Sequence, residues 1–185
     1  MATAGFLKSF YLTHFSKPES DRVLYRIIQK RKVQHILELG LGDGRRAVRM
    51  IELAGRASHG RRVSYTGTDL FEGRGPNDPP GISLKEAHCL LGATGARVRL
   101  VPGDPGMAMA RSANNGLTGV DLVVISTGND PASMWRAWFY LPRVIHPGSR
   151  VVWQETAEDG TIVNRVLDAA ETARHAQEQS VRRAA

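Results

Sequence analysis

Apolar positions along the chain fall into two alternating patterns. Short, mostly apolar runs occupy positions 33–39, 63–70, 98–101, 121–126 and 150–154, as expected of strands that are covered on both faces. Elsewhere apolar residues recur at three- and four-residue spacing, which predicts helices at 20–30, 45–57, 83–91, 107–113, 130–145 and 161–182. Strands that alternate with helices predict a doubly wound α/β domain with a parallel sheet.

Two of these helices carry start signals in their sequence. Ser83 and Glu86 have the spacing of a capping box, and Asp130 followed by Pro131 is a typical helix start. The segment 71–82 is rich in Gly, Pro, Asn and Asp, which predicts an irregular loop. At 185 residues the chain has the length of one domain, with a helical lead-in at 1–32, a core at 33–155 and a helical tail at 156–185.

The first predicted strand leads into a glycine-rich turn. Glu38 lies near the end of the strand, and Gly40, Gly42 and Gly44 follow it at alternate positions. Glycines permit a sharp turn and let a ligand approach the backbone closely, and the next helix would direct its free N-terminal amides at that turn. The dinucleotide pattern G-x-G-x-x-G needs Gly or Ala where this chain has Arg45, so a nicotinamide or flavin cofactor is disfavoured. The alternative is a tight turn with no ligand.

The acidic residue and the three glycines resemble motif I of the class I S-adenosylmethionine (SAM) dependent methyltransferases, E/D-x-G-x-G-x-G. The resemblance implies a mostly parallel Rossmann-like sheet, SAM as the cofactor, and a cofactor site that includes Leu41 within the turn. It covers approximately positions 33–155 and identifies the superfamily only.

Acidic residues also lie at the end of the second predicted strand and just after the third, where ligands bind in open α/β sheets. The resemblance assigns Asp69 to the ribose hydroxyls, Leu70 to the adenine face, and Gly103 with Asp104 to the adenine edge. It extends the cofactor site to Ser126 at the end of the fourth predicted strand. For Asp69 and Asp104 the alternative is an ordinary turn or helix cap.

The sequence gives weaker evidence for the residues that bind the methyl acceptor. Glu155, His146 and Glu158 are candidates for a general base, and alignment of the acceptor alone can supply much of the acceleration. Only Glu155 stands where a metal ligand would be, so we expect no metal site. Aromatic residues at 135 and 138–140 either pack against the sheet, which we favour, or line an acceptor pocket.

Many class I methyltransferases end in a hairpin of two further strands, whereas the pattern after Glu155 predicts a helical tail. We therefore expect a sheet without the full C-terminal hairpin. The amphipathic tail either packs on its own sheet or supports a homodimer.

Composition narrows the classes of function. The single cysteine, Cys89, excludes an intramolecular disulfide, and no apolar run is long enough for a membrane helix; we expect a cytoplasmic protein. The net charge of +7 is scattered in short groups, which favours a basic surface over a nucleic-acid site. We expect a methyltransferase that acts on a small molecule. The alternatives are a SAM-binding or regulatory protein with reduced catalysis and, second, an RNA-modifying methyltransferase.

Overall fold

The computed structural model describes the backbone of residues 2–184 and, apart from positions 2–6, 8, 131 and 182–184, their side chains. Helices and strands alternate through most of it. In chain order the elements are α1 Ala2–His14, α2 Arg22–Arg31, β1 His35–Leu39, α3 Arg45–Ala57, β2 Ser64–Asp69, α4 Leu84–Gly92, β3 Arg97–Pro102, α5 Pro105–Asn114, β4 Val120–Ile125, α6 Pro131–Val144, β5 Ile145–Thr156, β6 Ile162–Leu167 and α7 Ala169–Ala184.

The strands form one six-stranded sheet in the order β3-β2-β1-β4-β5-β6. The first five strands are parallel, and β6 is antiparallel to β5. From β1 the chain adds β2 and β3 on one side of the sheet and then returns to add β4 and β5 on the other side. The carboxyl ends of β1 and β4 therefore flank the crevice in which ligands bind in such sheets. The predicted doubly wound α/β fold is confirmed.

Two apolar cores cover the two faces of the sheet. One lies between the sheet and helices α2, α3 and α4, and the other between the sheet and helices α5, α6 and α7. Neighbouring residues of a strand point to opposite faces. Accordingly Val152 packs in the first core and Val151 in the second. This alternation also determines which side chains of β5 reach each side at its carboxyl end.

Local sequence accounts for the element ends that position the site. The Ser83 hydroxyl and the Glu86 carboxylate form the expected capping box at the start of α4. Asp130 accepts a hydrogen bond from Ala132 N at the start of α6. Segment 71–82 is irregular apart from a short 3₁₀ turn at Phe71–Gly73.

The tail departs from the sequence prediction. The helix expected from residue 161 begins only at Ala169, because Ile162–Leu167 forms β6, which follows a turn at Asp159 and Gly160. β-branched residues at 162, 163 and 166 favour a strand, although their spacing also fits a helix. The predicted helical tail, as far as the structure describes it, therefore contains a strand and a helix, and one further strand follows β5.

Candidate functional site

A cavity of about 850 Å³ opens at the carboxyl edge of the parallel strands. The turn after β1 forms part of its wall. Gly40 has a φ of +90°, and a Cβ there would lie 3.0 Å from the Ser126 Cβ, so glycine allows the turn and the end of β4 to approach closely. We call this space the main cavity. It brings together most of the predicted cofactor residues, namely Gly40, Leu41, Gly42, Asp69, Leu70, Gly103, Asp104 and Ser126.

The Asp69 carboxylate joins the ends of β1 and β2. Its Oδ2 accepts a hydrogen bond of 2.8 Å from Gly42 N, and its Oδ1 accepts one of 2.7 Å from Leu70 N. Arg74, from the loop after β2, donates to the same Oδ1 at 2.5 Å. Because an ionised carboxylate has about four acceptor positions, Oδ2 keeps capacity for another donor. A second ligand hydroxyl at Oδ1 would compete with Arg74.

Asp104 lies beside the cavity at the start of α5. Its Oδ1 caps that helix by accepting a hydrogen bond from Met107 N at 3.0 Å. Among the described residues nothing donates to its other oxygen, so Asp104 can both cap the helix and accept from a ligand. The two interpretations of this residue from the sequence are compatible.

Glu38 and Gly44 lie outside the lining of the main cavity. The Glu38 side chain is fully buried and is held by two neighbours, Tyr65 and Arg46. A Cβ on Gly44 would lie 2.8 Å from Leu90 Cδ2, so this glycine permits α3 and α4 to pack closely. Both residues therefore support the turn without lining the cavity.

Arg46 is the centre of a polar cluster beneath the turn. Its guanidinium donates to Glu38 Oε1 at 2.7 Å, to Gln154 Oε1 at 2.7 Å and to the Gly40 carbonyl at 3.3 Å, and also to the Ser126 hydroxyl. Ser126 in turn donates to the Gly40 carbonyl at 2.6 Å. Arg46 therefore connects the ends of β1, β4 and β5 at the floor of the cavity.

The electrostatics of this cluster favour a cationic Arg46. Burial works against its charge, but the nearby Glu38 and Asp21 carboxylates outweigh burial and raise the pKa of Arg46 above its ordinary value. Asp21 lies 3.8 Å from the guanidinium. Complete burial raises the pKa of Glu38, and burial together with the neighbouring Glu38 raises the pKa of Tyr65. Tyr65 is thus a neutral hydrogen-bond donor.

A second cavity of about 370 Å³ lies beside the main one, on the α6 and α7 side of β5. The two cavities share the segment 126–129 and Gln154. Trp135, Trp138 and Trp153 line the second cavity, and Glu155 lies at the same place. The structure thus places the candidate base Glu155 away from the main cavity, among aromatic side chains.

The other candidate bases lie elsewhere. His146 is at the beginning of β5, on the opposite edge of the sheet, and its Nε2 lies 3.0 Å from Asp121 Oδ1. The structure does not bring it to either cavity. Positions 146–148 belong to β5, whose pairing with β4 shifts register between Val120 and Leu122. Glu158 is exposed in the turn before β6.

The sequence interpretation missed Arg46, Asp21, Gln154, Tyr65 and Arg74. One signal for Arg46 was available. It lies four and seven residues before Met50 and Leu53, so it shares the buried face of α3. A charged residue on that face predicts a buried partner of opposite charge, and Glu38, which lies in the mostly apolar run 33–39, is an acidic candidate that is itself expected to be buried.

No group of three or more His, Cys, Asp and Glu side chains in the described part of the chain is arranged to hold a metal ion. None of the described helices is both long and apolar enough to span a membrane.

Comparison with known proteins gives a clear result for the fold only. No family model and no curated protein sequence matches the chain. Among solved structures, the calicheamicin methyltransferase CalS11 is similar with a TM-score of 0.58 and 18% identity, covering 83% of this chain and 77% of that one.

Two further structures resemble the chain to a similar degree. An O-methyltransferase from Bacillus cereus in complex with SAH has a TM-score of 0.55 and 16% identity over 85% of this chain and 68% of that one. A putative O-methyltransferase from Klebsiella pneumoniae has a TM-score of 0.54 and 17% identity over 95% and 75%. With its strand order, its glycine turn and these likenesses, the chain has the α/β fold of the class I SAM-dependent methyltransferases.

Proposed function

We propose that the protein is a SAM-dependent methyltransferase that acts on a small-molecule acceptor. The observation that carries the proposal is the convergence of the glycine turn, Asp69 and Asp104 on one cavity. The similar structures support it, since CalS11 is a methyltransferase and the Bacillus cereus enzyme was solved with SAH. When bound, SAM supplies the methyl group on its sulfonium sulfur, and the rest of the molecule leaves as a neutral thioether.

The residues present fit such a cofactor. The cavity volume lies in the range of small-molecule sites, and no heavy atom lies within 4 Å of a Cβ built on Gly42. Asp69 Oδ2 would accept from a ribose hydroxyl, and the second oxygen of Asp104 would accept from the adenine amino group. Ser126 and Gln154 are engaged with Arg46, so they would hold the floor of the site in place.

The first test is calorimetric titration of the folded protein with SAM and with SAH. We expect both to bind. Asp69→Asn should weaken both by about 10- to 100-fold, since it replaces an ionised acceptor. Asp159→Asn is the matched control, because Asp159 also accepts a backbone hydrogen bond but lies outside the cavity lining. We expect its affinity to be unchanged.

Two outcomes would separate the alternatives. Absence of binding of SAM and SAH to folded protein contradicts the proposal. Tight SAM binding without formation of SAH across a broad panel of acceptors would favour a binding or regulatory protein on the same fold. Circular dichroism of each variant checks that the fold persists. The Asp69 variant needs this check, because Asp69 also holds the backbone of Gly42 and Leu70.

A further inference from the structure

The second cavity has an unusual composition for this chain. The sequence contains three tryptophans, and all three, Trp135, Trp138 and Trp153, line this one space. Trp138 and Trp153 meet edge to face with ring centroids 5.3 Å apart, and both contact the ring of His175. Aromatic side chains with such fixed geometry present a rigid apolar surface.

The position of this cavity links it to the proposed cofactor site. Both cavities are bordered by the segment 126–129 after β4 and by Gln154 in β5. Gln154 directs its amide to Arg46, while the next residue, Glu155, points to the opposite face of the sheet. A molecule in the second cavity would therefore lie across this border from a cofactor in the main cavity.

Size and polarity restrict what the second cavity can take. Its volume of about 370 Å³ exceeds the roughly 150 Å³ that holds one benzene, so it suits a molecule of about two rings. The lining combines the three tryptophans and Met134 with neutral polar residues, and the Glu155 carboxylate on β5 supplies a charged hydrogen-bond acceptor. Among the described residues no side chain pairs with that carboxylate.

We propose that the second cavity is the acceptor site and takes a planar aromatic molecule of about two rings that carries a hydroxyl group. Trp135 and its neighbours would hold the rings, and Glu155 would accept a hydrogen bond from the hydroxyl. This proposal rests on the proposed methyltransferase function, but the binding it describes can be measured without SAM.

The test compares 2-naphthol with its saturated counterpart, decahydro-2-naphthol, by calorimetry on the full chain. We expect 2-naphthol to bind about tenfold more tightly, because only the aromatic compound stacks on the tryptophans. Tryptophan emission, corrected for absorbance by the ligand, should change on binding, since every tryptophan lies at this cavity. Equal affinity for the two compounds, or unchanged emission, would overturn the proposal.

Two pairs of variants locate the binding. Trp135→Leu should weaken 2-naphthol about tenfold, whereas Phe139→Leu should not, because Phe139 lies on the same helix but is 54% exposed and outside the cavity lining. Glu155→Gln should reduce the preference for 2-naphthol over 2-methoxynaphthalene, and Glu158→Gln should leave it unchanged. Equal effects within either pair would contradict the assignment.

The outcome can be separated from that of the proposed function. If SAM binds and 2-naphthol does not, the acceptor assignment fails while the methyltransferase proposal stands. If 2-naphthol binds with the expected variant pattern and SAM does not, the second cavity is a binding site and the methyltransferase proposal fails. In the favourable case, Trp135→Leu leaves SAM affinity within about twofold of the original, because Trp135 does not line the main cavity.

Discussion

The two cavities share a border yet differ in what they are made of. The wall of the main cavity includes paired ionised groups, such as Arg46 with Asp21 and Arg74 with Asp69. The wall of the second cavity includes all three tryptophans, together with neutral polar side chains and the Glu155 carboxylate. Buried charges are tolerated only with fixed partners, while an aromatic wall needs none. The main cavity is therefore held in shape by its ion pairs, and the tryptophan wall of the second cavity by packing.

The largest effect is expected from removing Arg46, the central cation at the floor of the main cavity. Arg46→Met should lower the free energy of unfolding by about 3–5 kcal/mol, because it leaves the Glu38 carboxylate buried without its ionic partner. Urea unfolding followed by circular dichroism measures the change. Arg45→Met is the matched control, since the neighbouring Arg45 side chain is 80% exposed, and it should change stability by less than about 0.5 kcal/mol.

A rescue variant separates lost charge pairing from lost packing. Adding Glu38→Gln to Arg46→Met should recover part of the stability, because the neutral amide no longer needs a cation. If Arg46→Met costs less than Arg45→Met, the main cavity is not held in shape by this ion pair.

A smaller effect is expected at the rim of the main cavity. Arg74→Gln should raise the affinity for SAM by about fivefold, because the ligand no longer has to compete with the Arg74 guanidinium for Asp69 Oδ1. Calorimetry measures the change. Arg45→Gln serves as its control, since Arg45 also lines this cavity but pairs with the exposed Asp43. A weaker affinity in Arg74→Gln would mean that Arg74 supports the bound ligand.

The smallest effect is expected for Asp121, which is hydrogen-bonded to His146 outside both cavities and so serves as a reference. Partial burial works against the Asp121 carboxylate, but hydrogen bonds from the backbone N–H groups of Gln34 and His35 and from His146 outweigh burial and lower the pKa of Asp121. Its contribution to stability is therefore complete above its ordinary pKa of 3.8 and is lost as the pH falls through the lowered value.

Unfolding free energies at about pH 6 and about pH 3 test this linkage. Asp121→Asn should lower the free energy of unfolding by only about 1 kcal/mol at the higher pH, because solvent screens this partly exposed carboxylate. The loss should be smaller at the lower pH. SAM affinity should be unaffected, because Asp121 lies at the opposite edge of the sheet. A stability difference between Asp121→Asn and the original protein that is larger at the lower pH would contradict this prediction.

Local patterns were sufficient to predict most of the fold. Helix α3 begins and ends at the predicted residues 45 and 57, because its apolar face repeats regularly and the glycine turn marks its start. The capping box at Ser83 and the Asp130 start are local hydrogen bonds between near neighbours. Strand β6 was missed, since Val163, Val166 and Leu167 fit a helix as well as a strand. Pairing with β5 decides between the two.

The cofactor residues were predictable from the glycine spacing and from its resemblance to a known motif. Gly40 and Gly42 were assigned from that spacing, and the resemblance assigned Asp69 and Asp104 at the ends of the next two strands; all four border one cavity. The partners of these residues were not predictable, because Arg74 and the Arg46 cluster depend on contacts between distant segments. The placement of His146 also required the structure, since it depends on where β5 begins.

The Arg46 cluster joins segments that are synthesised far apart in time. Glu38 lies only eight residues from Arg46, but Ser126 and Gln154 lie 80 and 108 residues beyond it. Because synthesis delivers the N-terminal part first, the ion pair can form early, while β1 must wait for β4 before both its edges are paired. The floor of the main cavity is thus completed only after the last parallel strand has left the ribosome.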